Sequence, residues 1–207
     1  MKLWSDFYDL IMPDLPGCPF VMVDNALRQS AILFCEQSLA WRWDHPDISV
    51  AAGTAAYAFT PPAGAAVHSI IHAALDGKEI EPHAGEANIT IAHWRNRSGA
   101  PRNVLGGPTA VTLVPNPDTA GILTMTVALK PSPVSPGIED SQFNEYREAI
   151  LHGGLARLML SPKKPYTNAQ LADHHQQQFS IKTAAAGLRV SRSYMRAPLL
   201  TTIMGRR

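Results

Sequence analysis

The chain has 207 residues, of which 45% are hydrophobic and 17% charged, so it can bury a sizeable core in one large domain or two small ones. Two cysteines, Cys18 and Cys35, are too few for a disulfide framework at this length, and we expect reduced thiols. No apolar run approaches the ~20 residues that cross a bilayer, and the first ten residues do not form a signal peptide. These features exclude membrane-spanning and disulfide-scaffold proteins and favour a protein that is made and used in the cytoplasm.

The charge is unevenly distributed along the chain, although the formal net charge is only +1. The first 173 residues carry 12 basic and 17 acidic residues, whereas residues 174–207 carry six basic residues and no acidic one. A basic tail on a slightly acidic body is typical of a segment that binds a partner.

Helical structure is predicted for the first 45 residues. Residues 3–12 form a short amphipathic piece, and the prolines of residues 13–19 forbid a continuous helix there. Asp24 can cap a helix that continues to about Leu39, because apolar residues recur there at helical spacing.

Residues 46–131 predict a β-rich module of about six strands, separated by Pro and Gly. The pair Asp76-Gly77 favours a tight hairpin turn, and residues 123–129 alternate as in a half-buried strand. Residues 89–97 are compatible with a helical turn. The predicted strands are 48–51, 55–60, 66–75, 78–81, 109–114 and 121–129.

Two long helices are predicted after a Pro-rich linker at residues 131–137. The first spans about 139–160, and Gly153-Gly154 within it suggests the close approach of a neighbouring helix, since glycine there costs about 1 kcal/mol relative to alanine. The second begins at a capping box formed by Thr167 and Gln170 and continues to about Leu188.

The predicted fold class is α+β, a small helical bundle with a β-rich insertion and an extended C-terminal arm. Its parts are an N-terminal helical portion (1–45), the β-rich insertion (46–136), two C-terminal helices that complete the bundle (137–190) and a basic docking arm (191–207).

No catalytic, cofactor-binding or metal-binding residues are expected. His68 and His72 lie on a predicted strand, where residues four apart are about 13 Å apart and cannot share one ion. Cys18 and Cys35 have no recognisable catalytic signature around them, and no nucleophile elbow or phosphate-binding loop is present. We therefore do not expect an enzyme.

The docking arm interleaves arginine with apolar residues, a mixture that fits a groove on another protein better than DNA. A nucleic acid remains the alternative partner, because the same arginines can neutralise phosphates. The candidate partner-binding residues are Arg189, Arg192, Tyr194, Met195, Arg196, Leu199, Leu200, Ile203, Met204, Arg206 and Arg207.

A set of turn and packing residues resembles the head-to-tail adaptor (connector) proteins of tailed bacteriophages, of the short-tailed type. The resemblance covers nearly the whole chain and includes no catalytic signature. It is carried by Trp41, Gly99-Ala100-Pro101, Pro115-Asn116-Pro117, Tyr146-x-x-Ala149-Ile150-x-x-Gly153, Arg157-Leu158 and Lys163-Lys164-Pro165-Tyr166-x-Asn168-x-x-Leu171-Ala172, leading to Phe179.

The resemblance implies a structural role in the neck and tail of the virion. Such adaptors form a ring of about twelve copies beneath the portal protein, with an arm on the portal and the β portion on the next tail or nozzle protein. Genomic DNA passes through the channel, and the ring helps to retain and eject it. A nucleic-acid-binding protein that uses its basic tail is the alternative function.

Overall fold

A computed structural model describes residues 1–83 and 97–192 of the chain. The strands of this part are β1 (Lys2–Leu3), β2 (Arg42–Val50), β3 (Ala56–Ala58), β4 (Ala65–Leu75), β5 (Lys78–Pro82), β6 (Asn103–Gly106), β7 (Ala110–Val114), β8 (Gly121–Pro131) and β9 (Gly137–Ile138). The helices are α1 (Tyr8–Ile11), α2 (Phe20–Ser38), α3 (Asp140–Met159) and α4 (Ala169–Ser191), with 3-10 turns at Trp4–Phe7 and Met12–Asp14.

Strand β8 is an interior strand of the seven-stranded sheet, next to the edge strand β2. It pairs antiparallel with β2 on one side and with β4 on the other. Its side chains alternate because successive residues of a strand point to opposite faces. The residues buried by this alternation are Leu123, Met125, Val127 and Leu129, which confirms the strand predicted from the period of two.

The seven-stranded sheet curls into a nearly closed barrel in the order β2-β8-β4-β5-β6-β7-β3. All pairings are antiparallel except β5 with β6, which is parallel. Strand β4 is bulged in two places against β8, and bulges bend a strand and increase its twist. The curvature brings together the two edge strands, β2 and β3, which are consecutive in the sequence.

The side chain of His45 bridges the gap between these edges. Its Nε2 accepts a hydrogen bond from the Thr60 backbone N–H at 3.0 Å, and its Nδ1 lies 2.6 Å from the Pro46 carbonyl oxygen. These partners assign the proton to Nδ1, since Nε2 must accept. The imidazole also lies between the rings of Trp43 and Phe59, so an aromatic cluster fills the gap that backbone pairing leaves.

The three long helices form a layer against the sheet. Helix α2 packs on β8, and α3 and α4 pack on α2 and on each other. The Ser30 hydroxyl of α2 donates to the Ile150 carbonyl of α3 at 2.7 Å. A Cβ at Gly153 would overlap the Ser30 Oγ and lie 2.8 Å from the Phe179 ring of α4. The predicted close approach of a helix at Gly153-Gly154 is therefore confirmed.

The segment between β8 and β9 is held by hydrogen bonds from the N-terminal residues and from α2. The Ser135 carbonyl accepts from the Trp4 indole N–H at 2.8 Å and from the Arg28 Nε at 2.9 Å. Strand β1 pairs with β9 in a second, two-stranded sheet. The residues predicted as a linker thus tie the N-terminus, α2 and the sheet together.

The predicted fold class, a helical bundle with a β-rich insertion, is wrong. The sheet is a nearly closed, seven-stranded barrel-like unit on which the helices pack. Residues of strands and helices share one hydrophobic cluster, so the β portion is not an appendage of a bundle. The error arose because strand closure depends on non-local pairing, which local periodicity does not report. The division into segments stays a prediction.

Several local predictions can be compared with the described residues. The Asp76-Gly77 turn is confirmed, with φ of 49° and 76°, and α2 ends beside Leu39 as predicted. The predicted caps are wrong: α2 begins at Phe20 rather than at Asp24, and Asn168 rather than Thr167 caps α4. Strand β6 was not predicted. The ambiguous segment 89–97 lies almost entirely outside the described residues.

Replacing Gly153 by alanine is expected to lower the free energy of unfolding by about 1–3 kcal/mol, because the methyl group overpacks the helix crossing. Gly187→Ala is the matched control, since its Cβ would meet nothing closer than 3.7 Å and alanine favours a helix by up to about 1 kcal/mol. Urea unfolding of both variants measures the difference. Equal stabilities of Gly153→Ala and Gly187→Ala would contradict the close approach.

Candidate docking site

Two of the eleven predicted partner-binding residues lie in the described part of the chain, at the end of α4. They are Arg189, in the last turn, and Arg192, whose backbone N–H caps the helix on the Leu188 carbonyl. The other nine, which lie outside the described residues, are Tyr194, Met195, Arg196, Leu199, Leu200, Ile203, Met204, Arg206 and Arg207.

Arg189 is held loosely against α3. Its Nη1 lies 3.7 Å from Glu145 Oε2, and its guanidinium carbon lies 6.0 Å from the centre of the Tyr146 ring. The side chain remains 54% exposed. An exposed ion pair contributes at most about 1 kcal/mol, so Arg189 can exchange Glu145 for a carboxylate of a partner at little cost.

A shallow groove of about 230 Å³ runs between α3 and α4 beside Arg189. On its wall Lys182 Nζ lies 2.7 Å from Glu148 Oε2, and this hydrogen bond lowers the pKa of the Glu148 carboxyl group. The two ion pairs link the helices across the groove. The groove therefore offers both charges and the small side chains of Ala149, Ala185 and Ala186 to a partner that approaches the end of α4.

Cys35, considered as a nucleophile, lies on α2, whereas His68 and His72, considered as metal ligands, lie on β4. Burial raises the pKa of the Cys35 thiol, with Glu36 adding to the effect, so this thiol is not an activated nucleophile. His68 and His72 lie on strand β4 as predicted, and His72 Nε2 lies 3.6 Å from Glu79 across the hairpin.

Two negative findings apply to the part of the chain that the structure describes. No group of three or more His, Cys, Asp or Glu side chains there is arranged to hold a metal ion. No helix among residues 1–83 and 97–192 has both the length and the apolar character needed to span a membrane.

A histidine pair that sequence reasoning missed joins α3 and α4. The Nδ1 atoms of His152 and His175 lie 2.8 Å apart, so one of them donates a proton and the other must be neutral to accept it. Burial is the largest cause that lowers both pKa values, and the neighbouring imidazoles add to it. No local signal in the sequence identifies His152 as the partner of His175.

Acidification is expected to weaken the packing of α3 on α4. The folded state disfavours protonation of His152 and His175, whereas the unfolded chain binds protons near the ordinary pKa of about 6.5. The stability from the pair is therefore complete above that pH and is lost as the pH falls through the lowered folded pKa values. Lys182 opposes protonation of His152 as well, whereas Glu148 and Asp14 favour a charged pair.

Urea unfolding between pH 7.5 and 5.0 measures this effect. His175→Gln is expected to show a smaller loss of stability on acidification than the wild type. His68→Gln, at an exposed position on β4, is the control and should follow the wild type. If His175→Gln keeps the full pH dependence, other groups are responsible for it.

Comparison with known proteins gives one family for the whole molecule. The family model described as SU10 adaptor protein matches residues 6–202, which include the barrel, all three long helices and most of the C-terminal residues. No curated protein matches the chain. The match confirms the expected resemblance to phage adaptor proteins, without distinguishing the short-tailed type. The chain belongs to the SU10 adaptor protein family.

Proposed function

We propose that this protein is the head-to-tail adaptor of a short-tailed phage, assembled as a ring of about twelve copies between portal and tail. The single observation that supports the proposal most is the adaptor family match over residues 6–202. A family-wide role as an adaptor requires surfaces for at least two other components. The barrel-like sheet and the C-terminal end of α4 are different parts of the molecule and can serve as those surfaces.

In this proposal, the docking arm (191–207) binds the portal protein. Arg189 and Arg192 lie where α4 ends, and the following residues include three arginines among apolar side chains. Arg196, Arg206 and Arg207 pair with carboxylates of the portal, while Leu199, Leu200, Ile203 and Met204 fill apolar pockets. Many identical arms in one ring act together, so that modest affinity per arm suffices for a stable junction.

The rest of the proposal concerns position and task. The β portion contacts the next tail or nozzle protein, neighbouring copies contact one another around the ring, and genomic DNA passes through the channel. The ring helps to retain the packaged genome and to release it on ejection. The protein works in the neck and tail of the virion, after synthesis in the host cytoplasm, and performs no chemistry.

The choice between a portal groove and a nucleic acid as the partner of the arm can be tested with two triple variants. Leu199→Ala, Leu200→Ala and Ile203→Ala together should weaken portal binding by about 100-fold or more, because each buried leucine or isoleucine contributes about 1.5–3 kcal/mol. Arg196→Gln, Arg206→Gln and Arg207→Gln together should weaken it too, with a smaller effect at high salt.

The matched control carries the same charge change on the body of the protein. Arg157→Gln, Lys163→Gln and Lys164→Gln remove three positive charges at exposed positions and should leave portal binding unchanged. Surface-immobilised portal rings and a DNA duplex are the two binding partners. The nucleic-acid function would be favoured instead by strong DNA binding that falls steeply with salt, if the Leu199, Leu200 and Ile203 variant also binds the portal as the wild type does.

A further inference from the structure

An exposed apolar patch lies at the start of α2. Phe20 is 55% exposed and Val21 is 70% exposed. The Phe20 ring stacks on that of Tyr8 with centroids 4.7 Å apart, and the Tyr8 hydroxyl donates to Asp24 Oδ1 at 2.8 Å. Leu10, on the same short helix as Tyr8, is 47% exposed. Phe20 and Val21 thus form an apolar surface at the start of α2 that no described residue covers, and Leu10 adds an exposed apolar side chain on α1.

Four aspartates belong to the same N-terminal stretch of the chain as this patch. Residues 3–27 contain four aspartates and no lysine or arginine. Within the described residues, no lysine or arginine nitrogen lies within 4.0 Å of any of these carboxylates. We define the N-terminal face as Asp6, Asp9, Asp14 and Asp24 together with Tyr8, Leu10, Phe20 and Val21. A segment that carries both positive charge and apolar side chains complements this face.

Residues 193–207 of the same chain have this complementary chemistry. They contain three arginines and no acidic residue, and six of the remaining positions are large apolar or aromatic residues: Tyr194, Met195, Leu199, Leu200, Ile203 and Met204. Opposite charges at a contact set its register and suppress wrong partners. Apolar side chains on both surfaces gain free energy when they are removed from water together.

The N-terminal face is also within reach of these residues. Val190, in the last turn of α4, and Gln142, in the first turn of α3, line one shallow groove. The next α3 residue, Phe143, meets the Phe7 ring edge to face at 4.8 Å. The end of α4 and residues 1–7 thus lie against the same turn of α3. Helix α2 is ~28 Å long, whereas 15 extended residues span up to ~50 Å. Residues 193–207 are therefore long enough to reach the start of α2.

We propose that, in the free subunit, residues 193–207 lie on the N-terminal face of their own chain and leave it when a partner binds them. Tethering supplies an effective concentration in the millimolar range, so a weak contact is enough to keep the segment bound. Covering Phe20 and Val21 keeps the free subunit from associating through them. Only the release step rests on the proposed function, since docking in the free subunit requires no portal.

Limited trypsin digestion of the full-length protein tests the contact at Arg196. Cleavage after Arg196 should be slow in low salt and should accelerate about tenfold in 0.5 M NaCl, where charges are screened. In low salt, the triple variant Asp6→Asn, Asp9→Asn and Asp14→Asn should accelerate the cleavage to the same degree. Val21→Ser should accelerate it to a smaller degree. The control Asp47→Asn, Glu81→Gln and Asp118→Asn changes the charge equally at exposed sites of the sheet and its loops, and should leave the rate unchanged.

Thermal unfolding by circular dichroism establishes that each variant is folded, and light scattering gives its mass. Equal cleavage rates in the wild type and the aspartate variant would overturn the inference, whether the segment is open in both or protected in both. An oligomer that the aspartate variant dissociates would overturn docking on the same chain in favour of a second copy. If the wild type resists cleavage after Arg196 but does not bind the portal, the proposed function alone is contradicted. If the wild type is cleaved rapidly after Arg196 and binds the portal, this inference alone is contradicted.

Discussion

The rest of the structure depends on the continuous pairing of strand β8 with neighbours on both sides. From Gly121 to Pro131 this strand supplies hydrogen bonds to β2 and β4, while one row of its side chains fills the core and α2 packs upon it. The chain then turns through Ser135 and enters α3. The Ser135 carbonyl accepts hydrogen bonds from the Trp4 indole N–H and from the Arg28 Nε. Strand, turn and helix are therefore parts of a single packing unit.

Local chemistry predicted the features that depend on neighbours in the sequence. The Asp76-Gly77 turn needs left-handed backbone that Gly and Asp adopt readily, and the alternation of β8 reports a strand with one buried face. Gly153 indicated a helix crossing because glycine is otherwise costly there. In contrast, the closing of the sheet depends on His45 reaching Thr60 and on the parallel pairing of β5 with β6, and no periodicity encodes either. The bundle was therefore predicted where a barrel-like sheet exists.

The candidate docking site stays a prediction, and only the setting of its first two residues is described. Arg189 and Arg192 were identified by the uneven distribution of charge, a property of the sequence that survives folding. Their tertiary setting, with Glu145 and Tyr146 beside Arg189, required α3 to be placed. The His152 and His175 pair could not be found from spacing, since 23 residues separate its members. The distribution of charge along the chain is thus readable from sequence, whereas a contact between two helices is not.

We propose that the molecule is a structural adaptor whose C-terminal residues join it to a portal ring. The most direct measurement is the mass, by size-exclusion chromatography with light scattering, of the full-length protein alone and mixed with the portal ring of the same phage. We predict a small free species and, on mixing, a single large complex in which adaptor and portal subunits occur in a fixed ratio that persists on dilution. Two separate peaks at every mixing ratio, with no shift in the portal mass, would contradict the account.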